Sequence, residues 1–453
     1  MGSYRRCRPP TTHSVSAMAA KRRAPQGRAV AAGPADSRLT QVAIMAIPSL
    51  MFLELSIGGR LFAPELILLF LLPGLLLKRG RFLLAKLPKT LLVLGFLWLA
   101  SQILTDVFRS TPFVDWSRGW AKISLFLLDF SALYLLIRGS RSRMLLFLVG
   151  IAAGQVLAYF FAPSAYALTY PWKFGYGPPV TLVIVILVNV GAIRRHLLLQ
   201  VALLLSIGVV NLALGSRGVF LICALAAAYV LTSGWYSFQV PAGRPRRRKR
   251  LWLAVTALLV VGYSAGAGYA YAAQHGWLGQ ASATKYATQS AGKYGVFVGG
   301  RVDVLVSGQA ILDSPVLGHG SWAKDWKYQN LLSARLAQLG YPDQATPSEA
   351  QGLIPSHSYL LGAWTESGVL GALFWGWVLV MTVRAMKQTY GLSEPLTPMI
   401  AFVTLTLLWS ILFSPFGAQE RLYAAFFIVV VLSFARPALR ARAHGSVRET
   451  EWA

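Results

Sequence analysis

Residues 355–359 have the sequence PSHSY and close the one long polar stretch, residues 273–356, that separates the apolar runs of this chain. The next apolar run begins directly afterwards, so the imidazole of His357 is expected at a boundary between membrane and water. On both sides of this stretch the chain has repeated apolar runs. Each run is about 17 to 25 residues long, which is the length that crosses a hydrocarbon core of about 30 Å as a helix. The sequence therefore predicts an all-α, polytopic integral membrane protein.

The composition favours the same class. Of 453 residues, 55% are hydrophobic and 13% are charged, with a mean hydropathy of +0.54, unlike a soluble domain. The net charge of +27 would suggest nucleic-acid binding in a soluble protein. Here the basic residues form short clusters between apolar runs, with no basic face interleaved with aromatics. We therefore expect a lipid bilayer, and no nucleic acid, as the partner of these clusters.

Cutting each apolar run where Pro, Gly or charge interrupts it predicts about twelve transmembrane helices. Lys and Arg concentrate in every second loop, which predicts that both termini are cytoplasmic. The predicted spans are residues 41–58, 62–77, 90–106, 120–137, 143–162, 178–193, 197–214, 218–237, 251–272, 358–383, 396–414 and 420–436.

This topology divides the chain into five predicted parts. Residues 1–40 form a disordered basic cytoplasmic arm, and residues 41–272 hold transmembrane helices one to nine. Residues 273–356 form a large outer loop with short helices, residues 357–436 hold helices ten to twelve, and residues 437–453 form a basic tail. Only Cys7 and Cys223 occur, in different predicted environments, so no disulfide framework is expected.

Arg217 lies in the sequence LGSRG at residues 214–218, between predicted spans seven and eight. Its guanidinium can bind phosphate oxygens through two parallel hydrogen bonds, and the flanking glycines permit a tight break that exposes helix-end amides. The alternative is an interfacial arginine that only contacts lipid headgroups.

Arg301 lies in the sequence GGRVD at residues 299–303. Apolar residues recur at helical spacing from 302 to 311, which predicts a short amphipathic helix that begins near Arg301 and ends before Pro315. The alternative is a structural contact between Arg301 and Asp303 or the surrounding loop.

His357 is the candidate general base, because imidazole is suited to proton transfer near neutral pH. Its alternative is a helix-start residue that hydrogen-bonds the loop, with Ser356 as a candidate N-cap. His319 lies between glycines and is either a rival base or part of a turn. Glu366 lies about two and a half helical turns below His357. We expect it to be embedded in the membrane and not to contact His357. It would instead pair with an arginine or orient a neighbouring helix.

No sequence pattern of a metal site or a phosphate-binding loop is present. The chemistry that remains is a metal-independent reaction, in which arginine stabilises an anionic leaving group electrostatically.

Three separated segments of this chain resemble the bacterial O-antigen ligase and polymerase superfamily. They are Ser216-Arg217-Gly218; Gly300-Arg301 with Pro315-Val316-Leu317-Gly318-His319-Gly320; and His357-Ser358-Tyr359-Leu360 with Glu366-Ser367-Gly368. The resemblance covers roughly residues 200 to 380 and the many-span layout. The segments also share one predicted face of the membrane.

The resemblance implies a glycosyltransferase that needs neither metal nor other cofactor. Its donor would be a glycan on undecaprenyl diphosphate, and its active site would lie on the periplasmic side of the bacterial inner membrane. Arg217 and Arg301 would bind the diphosphate, and His357 would activate the acceptor hydroxyl for inverting attack. Tyr359, Glu366 and His319 would support the site, although His319 departs from the glycine-rich turn expected in the family.

The acceptor is not determined by the sequence. A single dominant outer loop favours a ligase, whose acceptor is lipid A-core, over a polymerase, whose acceptor is a growing O-antigen or exopolysaccharide. A polytopic transporter or flippase is the alternative from another class, because Asp129 and Glu366 fall within predicted spans. A non-enzymatic assembly subunit is a third possibility.

Overall fold

The computed structural model describes Gly2 and residues 38–56, 59–239, 256, 260, 263–264, 266–295, 303–342, 352–392 and 394–435. In this part of the chain the protein is almost entirely helical, and its two strands form one short hairpin. The predicted terminal arm and tail lie outside the described residues.

The helices are α1 (Arg38–Ser49), α2 (Ala63–Arg79), α3 (Lys86–Phe108), α4 (Phe113–Ile137), α5 (Arg141–Phe161), α6 (Ala165–Thr169), α7 (Gly177–Leu187), α8 (Leu197–Ala213), α9 (Arg217–Gln239), α10 (Gln280–Ser290), α11 (Val304–Asp313), α12 (Trp326–Gln338), α13 (Tyr359–Ser367), α14 (Val369–Thr389), α15 (Thr397–Phe413) and α16 (Arg421–Phe434). Short 3₁₀ turns cover Leu50–Phe52, Gly80–Leu84, Ile193–Arg195 and Ala418–Glu420, and a π-helical turn covers Pro171–Tyr176. Strands β1 (Glu54–Ser56) and β2 (Arg60–Phe62) pair antiparallel.

Five of the described helices are long and apolar enough to cross a membrane, namely α3, α4, α5, α14 and the Arg217–Trp235 part of α9. The stretch Arg38–Phe52 and helices α8 and α15 are apolar but shorter. The protein is therefore an all-α membrane protein, as predicted. The count of twelve spans stays a prediction, and most of the ninth predicted span, residues 251–272, lies outside the described residues.

Three predicted spans are shorter or broken in the structure. The helix predicted over residues 178–193 ends at Leu187. The helix predicted over residues 41–58 ends at Ser49, and the β1–β2 hairpin follows because Arg60 pairs with Glu54 across it, with Nε 2.6 Å from Oε1. The helix predicted over residues 358–383 is broken at Gly368, which has a φ of +68°. There the outer loop packs against the helix, and Val369 N donates to Val316 O at 3.2 Å.

One end of the helix bundle carries the outer loop. Arg109, directly after α3, donates from its guanidinium to Gly318 O at 3.0 Å. Ser358, directly before α13, donates from Oγ to Ile411 O in the last turn of α15 at 2.7 Å. We call this the loop end of the bundle.

The opposite end carries the basic loops. Tyr229 donates to Met386 O near the end of α14 at 2.7 Å. Arg141 at the start of α5 pairs with Glu394 before α15 at 2.8 Å. These contacts place the start of α5, the end of α14 and the segment before α15 at one end of the bundle. We call this the basic end.

Candidate functional site

His357 and Asp303 form an ion-pair contact at the loop end, with Nδ1 of His357 2.9 Å from Oδ2 of Asp303. Asp303 immediately precedes α11, and His357 lies two residues before α13. The carboxylate side chain is 16% exposed, whereas the imidazole keeps 47% of its surface exposed. A carboxylate on Nδ1 fixes the orientation of the ring and stabilises its protonated form, which is the arrangement a general base needs.

The pair borders a cavity of about 310 Å³, within the range of roughly 300–1,000 Å³ typical of small-molecule sites. Its wall combines segments from both halves of the chain. The lining residues are Trp98, Lys122, Asp303, Trp322, Ala323, Leu353, Ile354, Pro355, Ser356, His357, Ser358, Tyr359, Gly362, Ala363, Thr365, Glu366, Pro415, Phe416 and Gly417.

A second ion pair lines the same cavity. Lys122 Nζ on α4 lies 2.6 Å from Glu366 Oε2 on α13, and the two side chains are 11% and 20% exposed. The partner of Glu366 is thus a lysine rather than the expected arginine, and the pair links Glu366 to a neighbouring helix, which was the other expectation. Lys122 on α4 takes this place, and Glu366 lies in the last turn of the short helix α13, which ends at Ser367. Glu366 therefore lies in the cavity wall at the loop end.

Trp322 lines the cavity, and its backbone has a conformation that few bulky residues adopt. Its φ is +51°, in the left-handed region, and its side chain is 38% exposed. A residue held there costs of the order of 1–3 kcal/mol and persists only where neighbours enforce it. Gly318 and Gly320, with φ values of +84° and +91°, form the preceding turn.

Asp106 holds this turn in place. It is buried, and its carboxylate accepts hydrogen bonds from Ser321 N at 2.6 Å and Ser321 Oγ at 2.6 Å. Trp120 Nε1 donates to the same carboxylate at 2.8 Å. Gly119 on α4 lies so close to Ser321 that a Cβ would overlap the Ser321 hydroxyl. The backbone leading into Trp322 is therefore fixed from several sides.

Two hydroxyls in the cavity wall lack partners within the described part of the chain. Thr365 is 2% exposed, and neither its Oγ1 nor Ser356 Oγ has a hydrogen-bond partner among the described residues, although both atoms are buried. Buried hydroxyls are nearly always hydrogen-bonded in folded proteins. Both residues line the cavity.

Tyr359 forms part of the cavity floor rather than a reactive surface. Its ring is buried, lies 4.8 Å from Trp375 and 5.0 Å from Phe416, and its hydroxyl donates to Glu420 Oε2 at 3.2 Å. Trp98, another lining residue, stacks on Phe374 at 5.0 Å. This aromatic packing gives the cavity a rigid floor.

His319, the predicted rival base, does not line the cavity. Its Nε2 lies 2.7 Å from Ala310 O, its backbone N donates to Thr365 O at 2.8 Å, and its ring contacts Tyr328 edge-on. A ring nitrogen facing a carbonyl must carry a proton, so this nitrogen donates to the loop. The flanking glycines, Gly318 and Gly320, form a turn. His319 is therefore part of a turn, which was the alternative to its being a rival base.

Arg217 begins α9 at the loop end but does not line the cavity. Its guanidinium donates to Gln289 Oε1 on α10 and lies 5.0 Å from the centroid of the Tyr269 ring. Displacement of water by the surrounding protein and the positive charge of Arg217 both lower the pKa of Lys285. Two basic side chains, Arg217 and Lys285, therefore form a basic region at the start of α9, which we call the cationic region.

Arg217 and His357 are adjacent to the same end of α15. A Cβ on Gly218 would lie 3.0 Å from Trp409 Cζ2, and Ser358 bonds Ile411 O two residues further along. The two predicted site residues thus share one end of the bundle, although the structure places them in different surroundings.

Arg301 lies outside the described residues, so its predicted role stays a prediction. The short helix predicted after it is confirmed as α11, which ends at Asp313 before Pro315.

The sequence interpretation missed Lys122, Trp322 and Thr365, and mentioned Asp303 only as a possible partner of Arg301. Lys122 is one of two charged residues, with Asp129, inside a mostly apolar predicted span, and that signal could have identified it. The pairing of Asp303 with His357 had no sequence signal.

The described residues contain no group of three or more His, Cys, Asp or Glu side chains placed to hold a metal ion. Comparison with known proteins gives no match, neither to a protein-family model nor to a curated protein or a solved structure. The chemistry of the cavity and its charges must therefore carry any functional assignment.

Proposed function

We propose that this protein is a metal-independent glycosyltransferase that moves a glycan from undecaprenyl diphosphate to an acceptor hydroxyl at the loop end of the bundle. The observation that carries the proposal is the His357–Asp303 contact at the edge of a ligand-sized cavity. In a bacterial inner membrane the loop end would face the periplasm and the basic end the cytoplasm, with both termini on the cytoplasmic side.

In the proposed reaction, Nε2 of His357 takes the proton of the acceptor hydroxyl while that oxygen attacks the anomeric carbon of the donor. The bond from this carbon to the diphosphate oxygen breaks, and the leaving undecaprenyl diphosphate keeps the electron pair. Asp303 stabilises the imidazolium through Nδ1–H, and the proton then passes to water. Attack opposite the leaving group inverts the anomeric configuration.

The cationic region at the start of α9 is the proposed diphosphate site. Arg217 presents its guanidinium beside the positive helix end, and Lys285 lies within its electrostatic range. Arg301 is proposed as a second ligand from its sequence position alone. Because a planar guanidinium binds two phosphate oxygens at once, Arg217→Lys should lower donor binding.

The acceptor favoured here is lipid A-core, which makes the protein an O-antigen ligase. A polymerase that extends an O-antigen or exopolysaccharide would use the same donor and base. Supplying purified protein with each acceptor in turn separates the two.

The test is transfer by the purified full chain in detergent, with a lipid-diphosphate-linked glycan and an acceptor glycolipid. Formation of the joined product, unchanged by a metal chelator, is expected. No product with any acceptor of either class would contradict the proposal.

A transporter or flippase is the second candidate, favoured by Asp129 on α4. Its side chain is fully buried, and neither carboxylate oxygen has a hydrogen-bond partner within the described part of the chain. The buried pair Arg421 and Glu65, 2.6 Å apart, lies within electrostatic range. Buried ionisable groups in membranes often mark transport paths. Movement of lipid-linked glycan across proteoliposomes, without transfer in detergent, would favour this candidate.

A further inference from the structure

Among the described residues that line the cavity beside His357, every cationic side chain has an anionic partner. Among the described lining residues, the charged side chains are Lys122 and Glu366, which pair with each other, and Asp303, which pairs with His357. A diphosphate needs uncompensated positive charge, and these residues offer none. The described part of the cavity wall therefore suits a neutral, polar ligand better than the anionic part of a donor.

The wall of the cavity has the two surfaces that a sugar ring requires. A pyranose has an apolar C–H face, which packs on an aromatic ring, and a rim of hydroxyls, which needs donors and acceptors. Trp322 offers an exposed indole in the wall. The hydroxyls of Thr365 and Ser356 are buried there without partners among the described residues.

Hydrogen bonds within the outer loop fix the backbone position of Trp322. Its left-handed backbone is enforced by the bonds from Ser321 to Asp106. Ala323 O, one residue later, accepts a hydrogen bond from Ile354 N at 2.9 Å and so ties this wall to the segment that leads to His357. A strained residue that the surroundings fix so firmly is typical of a ligand-binding position.

We propose that this cavity is the acceptor-sugar subsite, in which a pyranose ring packs on Trp322 and hydrogen-bonds Thr365 and Ser356. This inference rests on the proposed glycosyl transfer for its placement beside the base. It assigns the neutral acceptor sugar to the cavity and leaves the diphosphate to the cationic region at Arg217.

The test is saccharide binding to the purified full chain carrying 5-fluorotryptophan, observed by fluorine NMR in a detergent without a sugar headgroup. The Trp322 signal is assigned as the one missing in Trp322→Phe. The probes are methyl β-D-glucopyranoside and maltose, with sorbitol as a polyol that lacks a ring face. We expect the Trp322 signal to shift with at least one sugar and not with sorbitol. No shift with either sugar, or an equal shift with sorbitol, would overturn the inference.

Kinetics give a second test that separates this inference from the proposed function. Trp322→Ala should raise KM for the acceptor at least tenfold while kcat changes less than threefold, and Trp322→Phe should retain most of the affinity. Trp277→Ala is the matched control, because Trp277 is an exposed tryptophan before α10 that does not line the cavity. An unchanged acceptor KM in Trp322→Ala would overturn the subsite. Sugar binding without any transfer would instead overturn the proposed function and leave the subsite standing.

Discussion

Oδ2 of Asp303 lies 2.9 Å from Nδ1 of His357, although the two residues belong to separate segments of the outer loop. Asp303 precedes a helix of that loop, and His357 precedes the helix that ends beside Lys122. The contact therefore joins the loop to the membrane-spanning bundle. It also gives the imidazole a fixed direction at the edge of the cavity.

Replacing Asp303 with Asn should lower kcat for glycan transfer by about 10²-fold or more, since the amide cannot stabilise the imidazolium. Acceptor KM should change little. Asp325→Asn is the control, because Asp325 caps α12 through Lys327 N and does not line the cavity. Equal rates in wild type and Asp303→Asn would contradict a role for the carboxylate.

Because Lys122 and Glu366 pair with each other, we expect the effects of replacing them on the free energy of unfolding not to add. Lys122→Met or Glu366→Leu alone leaves a largely buried charge without its partner, and each should lower the free energy of unfolding by about 1–3 kcal/mol. The double variant should lose less than the sum of the two. Thermal unfolding in detergent measures this, with Arg60→Met in the more exposed Arg60–Glu54 pair as the small-effect control. Strict additivity would contradict the pairing.

Gly368 should not tolerate a side chain. Its φ of +68° disfavours other residues, and a Cβ would overlap Val316 O. Gly368→Ala should therefore destabilise the protein by about 3 kcal/mol. Gly376→Ala is the control in α14, where nothing lies within 4 Å of the added carbon, and it should stabilise by about 0.5–1 kcal/mol through helix propensity. Similar melting temperatures for the two variants would show that the stability of the protein does not depend on the helix break at Gly368.

Asp313 should make the outer loop sensitive to acid. Hydrogen bonds from Lys327, Gln309 and Tyr328 hold the pKa of this carboxyl well below its usual range. A depressed folded-state pKa contributes stability that is complete above the unfolded value of about 3.9 and is lost as the pH falls towards the folded value.

Hydrogen exchange of α11 and α12 measures this effect. At pH 6, Asp313→Asn should exchange faster than wild type, and the difference should narrow below pH 4. A difference that stays constant down to pH 3 would mean that Asp313 does not support the loop through its charge.

Patterns with a local physical cause were predictable from the sequence. Apolar runs predicted the helical membrane fold. The spacing of apolar residues before Pro315 predicted α11, and the step from polar loop to apolar run located His357 at the loop end.

Features that depend on contacts between distant segments were not predictable in this way. The interruption at Gly368 arises because Val316 packs against it, and a single glycine in an apolar run does not reveal that contact. Lys122 could be noticed in its span, but its partner could not. Arg217 and His357 lie at the same end of the bundle, as predicted. Of the two, only His357 lines the cavity.

The most direct measurement of the central claim is glycan transfer by purified His357→Ala, with lipid-linked donor and acceptor in detergent, compared with His275→Ala. His275 lies in the same outer region, stacks on Tyr271 and does not line the cavity. If His357 is the base, its variant should fold normally and transfer at least about 10²-fold more slowly, while His275→Ala should match wild type. Wild-type transfer by the folded His357→Ala protein would contradict the claim.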